Sequence, residues 1–243
     1  MDPLQKIKLI ECPRDAMQGW KHIIPTEKKI GYINALLKVG FDTIDFGSFV
    51  SYKAIPQMAD TKEVIENLEL VGSTSKLLAI IANERGAQDA VVYDEITYLG
   101  FPFSVSETFQ QRNTNSSIAG SLSRVEEIQN LCIKNKKELV IYISMGFGNP
   151  YSDPYNEEIV FDWVNRMVAL GIKIISLADT VGLATAQQVN QMTKYLIEAL
   201  PGIEIGVHLH STPANWKEKV GASLRLDFSV AKQPRMVFGS ASG

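Results

Sequence analysis

Cysteine and long apolar runs are both scarce in this 243-residue chain. Cys12 and Cys132 are its two cysteines, too few for a disulfide scaffold or a Cys-rich structural zinc site. No apolar run reaches the roughly 18 residues that a membrane helix needs, so no membrane partner is expected. Neither sign of charge is in excess. Lys and Arg total 24 against 27 Asp and Glu, a net charge of -3, which gives no reason to expect a nucleic-acid partner or an anionic membrane surface. The opening Met1 to Lys6 lacks both the apolar segment of a signal peptide and an Arg-rich leader, so a soluble, cytoplasmic protein is expected. The apolar fraction, 45%, is too high for a disordered chain. The length suits one domain of α/β-barrel size.

Short β-rich runs alternate with longer helical ones. Strands are expected at Ile7–Cys12, Thr43–Phe46, Leu77–Ile81, Ile96–Leu99, Leu139–Ile143, Lys173–Leu177 and Ile205–Leu209. The runs between them read as helices: Thr26–Val39, with Thr26 as N-cap, Thr61–Leu70, Glu84–Asp94, Ile118–Asn135, Glu157–Leu170, Thr185–Leu200 and Trp216–Leu224. Asp227–Val230 is a candidate eighth strand. Seven βα units and the start of an eighth predict an α/β fold of the (β/α)8 TIM-barrel type, one domain over residues 1–243, with the eighth unit incomplete. The alternative is an open doubly wound sheet. That fold usually carries a Gly-rich phosphate turn after its first strand, where this chain has Pro13-Arg14-Asp15.

Active sites of such barrels lie at the C-terminal ends of the strands. Polar residues gather there: Arg14 and Asp15 after the first strand, Asp45 and Ser48 at the second, Tyr98, Glu107, Gln110, Arg112 and Asn113 after the fourth. Ser144 and Asn149 follow the fifth, Asp179 and Thr180 the sixth, and His208 and His210 end the seventh. Residues i and i+2 of a strand share a face, so His208 and His210 can chelate one cation. They can equally be two polar residues hydrogen-bonded to loops. A third donor at the same end favours the cation, and Asp15 supplies one. Imidazole and carboxylate without thiolate suit Mg²⁺, Mn²⁺ or Zn²⁺, with the hard cations leading. Arg14 would bring fixed positive charge to an oxyanion. Asp45 and Asp179 can orient a ligand, transfer a proton, or merely cap a helix. His22 is read as a surface or structural residue, and Cys12 and Cys132 as core residues.

Four segments together carry a family resemblance. Glu11-Cys12-Pro13-Arg14-Asp15-Ala16-Met17-Gln18, Ser48-Phe49-Val50-Ser51-Tyr52-Lys53, Asp179-Thr180-Val181-Gly182 and His208-Leu209-His210 resemble, in order, the motifs of 3-hydroxy-3-methylglutaryl-CoA lyases. The likeness runs from about residue 8 to residue 224. It implies a metal-dependent TIM-barrel lyase that cleaves the CoA thioester to acetyl-CoA and acetoacetate. It also implies a divalent cation, Mg²⁺ or Mn²⁺, held by Asp15, His208 and His210. Arg14, Asp15, Asp45, Asp179 and His208 would be the catalytic residues, and Gln18 and Ser48 the substrate-binding ones. An acyl-CoA is then the small-molecule partner, and a homodimer is one expected assembly. Asp45 stands where the family commonly has Glu. A Claisen-type synthase is the related alternative, and the Ser48 to Met58 segment argues against it.

The tail departs from the family. Residues 225–243 contain no Cys and no Asn, whereas the resemblance implies a Gly-rich loop with a catalytic Cys and an Asn ligand, so neither role passes to any residue here. Two explanations fit: a truncated or frame-shifted lyase, or a short relative that binds metal or acyl-CoA without cleaving. A barrel lacking its last helix would expose its first and eighth strands and be marginally stable, aggregate, or rely on an oligomer partner.

Overall fold

The computed structural model describes residues 7–224 and 235–241. Its elements run β1 (Ile7–Glu11), α1 (Pro13–Gln18), α2 (Thr26–Leu37), β2 (Thr43–Ser48), α3 (Thr61–Glu66), β3 (Lys76–Ile80), α4 (Glu84–Val91) and β4 (Ile96–Ser104). There follow α5 (Glu107–Thr114), α6 (Ile118–Lys134), β5 (Glu138–Ser144), α7 (Glu157–Ala169), β6 (Ile174–Asp179), α8 (Ala186–Ala199), β7 (Glu204–Ser211), α9 (Trp216–Leu224) and β8 (Arg235–Ala241). All strands are parallel, and β8 pairs with both β7 and β1 to close the barrel. The (β/α)8 architecture therefore stands, and closure excludes the open sheet. The eighth strand is found at Arg235–Ala241. The earlier candidate, Asp227–Val230, lies outside the described residues. Among those residues no helix follows β8, and Leu9 on β1 is 54% exposed. No helix among them is long and apolar enough to cross a membrane.

The two-residue period of a strand sorts side chains into two cores. Ile44, Phe46, Leu77, Ala79, Leu139, Ile141, Ile143, Ile175, Leu177, Ile205, Val207 and Leu209 pack outward among the helices. Ile10, Cys12, Leu78, Tyr98, Val140, Tyr142 and Ile174 fill the barrel interior. On β7 the outward parity of Val207 and Leu209 sends His208 and His210 the other way, to the barrel mouth.

Three local expectations are corrected. Pro13-Arg14-Asp15 is not an open turn but the start of α1, with Pro13 at its first position, where a missing N–H costs nothing. Thr26 does not cap α2, because Pro25 takes that place and the Thr26 hydroxyl donates to Asp60 at 2.8 Å. β4 does not stop at Leu99 but runs to Ser104. Gly100 and Pro102 look like breakers, yet Gly100 faces the crowded interior, where an added Cβ would come within 2.6 Å of Ile80 and 2.8 Å of Tyr142. Tyr98 consequently sits deep in the barrel, its hydroxyl 3.0 Å from the Lys76 ammonium, and not at the mouth.

Candidate functional site

α1 begins within one residue of the end of β1, which places Arg14 and Asp15 over the mouth of the barrel. Arg14 is buried and reaches inward to Asp45 on β2. Its Nη2 donates to Asp45 Oδ2 at 2.6 Å and its Nε donates to both carboxylate oxygens at 3.1 and 3.2 Å. Its Nη1 donates to Asp15 Oδ1 and to Gln18 Oε1, each at 3.0 Å. One guanidinium thus fixes three side chains. Burial works to lower the Arg14 pKa, but the charge and hydrogen bonds of Asp45 outweigh it, so the group is held well above its ordinary value. Asp45 is fully buried, and burial raises its carboxyl above the usual range while Arg14 pulls against that rise.

The other oxygen of Asp15 faces the histidines. Oδ2 is 3.5 Å from Nε2 of His208 and 3.5 Å from Nε2 of His210. One donor atom from each of the three residues lies within 4.8 Å of the others. Burial opposes ionisation of Asp15, yet its bonds to His208 and His210 and the nearby Arg14 charge hold the carboxyl far below the usual range. The donor set fits a divalent cation: two imidazole nitrogens turn to the same anionic oxygen, and the second oxygen is already fixed by Arg14. His208 packs edge-on to Tyr142 at 5.8 Å, which sets the plane of its ring.

Asp15 raises the His210 pKa by hydrogen bonding, against the opposing effect of burial. Its protonated form therefore competes with a cation. The sign of the metal-free effect is opposite. A histidine raised above its unfolded value of about 6.5 stabilises fully below that pH, and the gain is lost as pH rises through the folded pKa. Mn²⁺ affinity is accordingly expected to climb as pH rises above about 6.5 while the metal-free melting temperature falls. Calorimetric titrations and melts across pH 6–8.5 check this, and parallel trends in the two would contradict it.

A cavity of about 550 Å³ opens over the three residues, lined also by Arg14, Gln18, Ile55, Asn113, Tyr142, Ser144 and Thr180. Five of the expected site residues, Arg14, Asp15, Gln18, His208 and His210, meet here. Asp45 lies behind Arg14. Ser48 and Asp179 do not line this cavity. The register of β2 shifts between Asp45 and Gly47, so Ser48 pairs with Ile80; its hydroxyl accepts from the Val50 amide at 3.2 Å, and it borders a separate pocket with Phe49, Tyr52 and Arg85. Asp179 shares the outward parity of Leu177. Its Oδ1 accepts from the Ala184 amide at 2.9 Å, and its Oδ2 accepts from the buried Lys219 at 2.7 Å. Glu107 and Gln110 are structural, bonding the Ile118 amide and the Ser104 amide respectively. Arg112 stacks over Tyr151, and Asn149 accepts from the amides of Tyr151 and Asp153. His22 is exposed. Cys12 and Cys132 are buried, and burial pushes both thiols up, Cys132 to about 12.

Lys219 escaped sequence reasoning. It sits three residues before Ala222 and four before Ser223 on α9, both buried, a helical spacing that puts the lysine on the inward face. That misplaced charge was the available signal.

The family model described as HMGL-like matches residues 6–214. The chain belongs to that family. Among curated relatives of this HMGL-like protein, the cytoplasmic 3-hydroxy-3-methylglutaryl-CoA lyase of Rattus norvegicus is 31% identical over 92% of the chain and 65% of its own length. The mitochondrial hydroxymethylglutaryl-CoA lyase of Gallus gallus is 31% identical over 93% of the chain and 76% of its own. The chain thus spans just under two thirds of the rat relative. Among solved structures, the HMG-CoA lyase of Bacillus subtilis superposes with a TM-score of 0.87 at 28% identity, covering 98% of this chain and 77% of that one. The HMG-CoA lyase of Acinetobacter baumannii, solved with coenzyme A and 3-methylmalate, gives 0.84 at 30%, covering 96% and 75%.

Proposed function

We propose that this HMGL-like protein is a divalent-cation-dependent carbon–carbon lyase that cleaves 3-hydroxy-3-methylglutaryl-CoA to acetyl-CoA and acetoacetate. The observation that carries the reading is the convergence of Asp15, His208 and His210 on one point beside the Arg14 guanidinium. Mg²⁺ or Mn²⁺, held by those three residues, would polarise the substrate oxygens and lower the pKa of the tertiary hydroxyl. The hydroxyl loses its proton and its carbon becomes the ketone of acetoacetate. The electron pair of the broken carbon–carbon bond passes to the acetyl-CoA enolate, which then takes up a proton. Arg14 meets the charge of that enolate, a contact stronger in the transition state than in the ground state. Asp45 keeps the guanidinium in place. His208 would hold the cation through Nε2 and so helps to orient the substrate beside Arg14. Gln18 gives its amide to the substrate, Ser48 shapes the neighbouring loop, and Asp179 acts as an anchor.

The proposal carries an acyl-CoA partner, a homodimeric assembly and a cytoplasmic setting, the last in keeping with the cytoplasmic rat relative. A second reading, cation and thioester binding without cleavage, is favoured by one observation: residues 225–243 contain neither Cys nor Asn. Acetoacetate release from 3-hydroxy-3-methylglutaryl-CoA with Mn²⁺, set against an EDTA control, separates the two. Cation-dependent acetoacetate is the expected result, and Mn²⁺ binding without product would leave only the second reading.

A further inference from the structure

We propose that Lys219 is a positioning residue that holds His210 where Asp15 and His208 need it for cation binding. The inference rests on reading those three residues as a cation site. Lys219 is 4% exposed, a costly place for an ammonium unless every proton is matched. Three acceptors match them: Asp179 Oδ2 at 2.7 Å, the His210 carbonyl at 3.0 Å and the Gly182 carbonyl at 3.3 Å. They come from the end of β6, the turn after it and the end of β7.

The register gives this contact its meaning. The ladder between β6 and β7 ends at the pair Asp179 and Leu209. His210 is the first residue past that pair, and its carbonyl is the one that Lys219 takes. Fixing a carbonyl fixes the peptide plane and so limits where the side chain of that residue can point. Lys219 is itself held from both sides. The Ala184 amide and the ammonium occupy the two oxygens of Asp179, and Asn190 on α8 donates to the Ala222 carbonyl of α9 at 3.0 Å. The ion pair lies outside the cavity, so its effect on the cation passes through the His210 backbone.

Two variants test this, with Mn²⁺ itself as the probe, its free fraction read by electron paramagnetic resonance well below the melting temperature. Lys219→Met leaves the Asp179 carboxylate buried and unpaired and is expected to melt lower. Asp179→Asn/Lys219→Met removes both charges and recovers much of that loss. Both are expected to bind Mn²⁺ about 10–100-fold more weakly than the parent, the usual effect of losing a group that supports a ligand. Asp179→Asn alone keeps Lys219 on the two carbonyls and should lose less. A merely structural lysine would lower the melting temperature and leave affinity unmoved. A folded double variant with affinity within about twofold of the parent overturns the proposal, and it decides the matter if Lys219→Met fails to fold. If the parent itself binds no Mn²⁺, or Asp15→Asn binds it equally well, the cation reading fails and takes this inference with it. Binding lost in Asp15→Asn but kept in the double variant defeats the positioning role alone.

Discussion

Replacing Arg14 by methionine is expected to lower the rate of acetoacetate formation about 10²–10³-fold, the loss seen when one preorganised oxyanion donor is removed. The same change should weaken the protein itself. Asp45 is 0% exposed and receives three hydrogen bonds from Arg14. Methionine would leave that carboxyl buried without them, and breaking one side of a buried ion pair costs about 3–5 kcal/mol. For a chain of this size the melting temperature should fall on the order of 10 °C. Burial already raises the Asp45 pKa, so part of the loss will be relieved by uptake of a proton. The two effects separate in Arg14→Met/Asp45→Leu. That variant replaces the pair by apolar groups and should regain most of the stability, because a well-packed apolar substitute for a buried ion pair is often neutral. It should not regain the rate. A double variant that recovers turnover would show that Arg14 serves the fold and not the enolate.

The barrel was legible because its signal repeats. Each strand is a short β-rich run and each helix an amphipathic one, so small errors at single boundaries leave the alternation intact. What escaped was local. The expected end of β4 at Leu99 falls short because the sequence does not reveal the interior crowding that Gly100 meets. The eighth strand lies beyond the segment first favoured for it. In the site, His208 and His210 were legible because i and i+2 share a face. The same parity rule, applied to β6, would have moved Asp179 out of the cavity, since it continues the outward series of Ile175 and Leu177. On β2 the rule gives no such help for Ser48, because the register shifts between Asp45 and Gly47. Their motif membership drew attention first. Lys219 was hidden by distance: its carboxylate partner is 40 residues away in sequence, and no local pattern links a helical lysine to a strand end.

Asp15→Asn should weaken Mn²⁺ binding more than about 100-fold, beyond the 10–100-fold range of a residue that only supports a ligand. Asp15 provides the single anionic donor of the three, and its Oδ2 is the atom on which both imidazoles converge. An amide of nearly the same shape keeps a contact with Arg14 through its oxygen but brings no charge to the cation. The substitution also removes the hydrogen bond and charge that raise the His210 pKa. The fall in metal-free stability as pH rises through that pKa should therefore flatten in the variant, and the weak binding that remains should reach its plateau at lower pH. These outcomes share one cause, a carboxylate that organises two histidines while a cation is absent and joins them when it binds. Melts and Mn²⁺ titrations of the parent and Asp15→Asn between pH 6 and 8.5 read both. Affinity retained within about tenfold of the parent would mean that the histidines suffice and that Asp15 serves chiefly to hold Arg14.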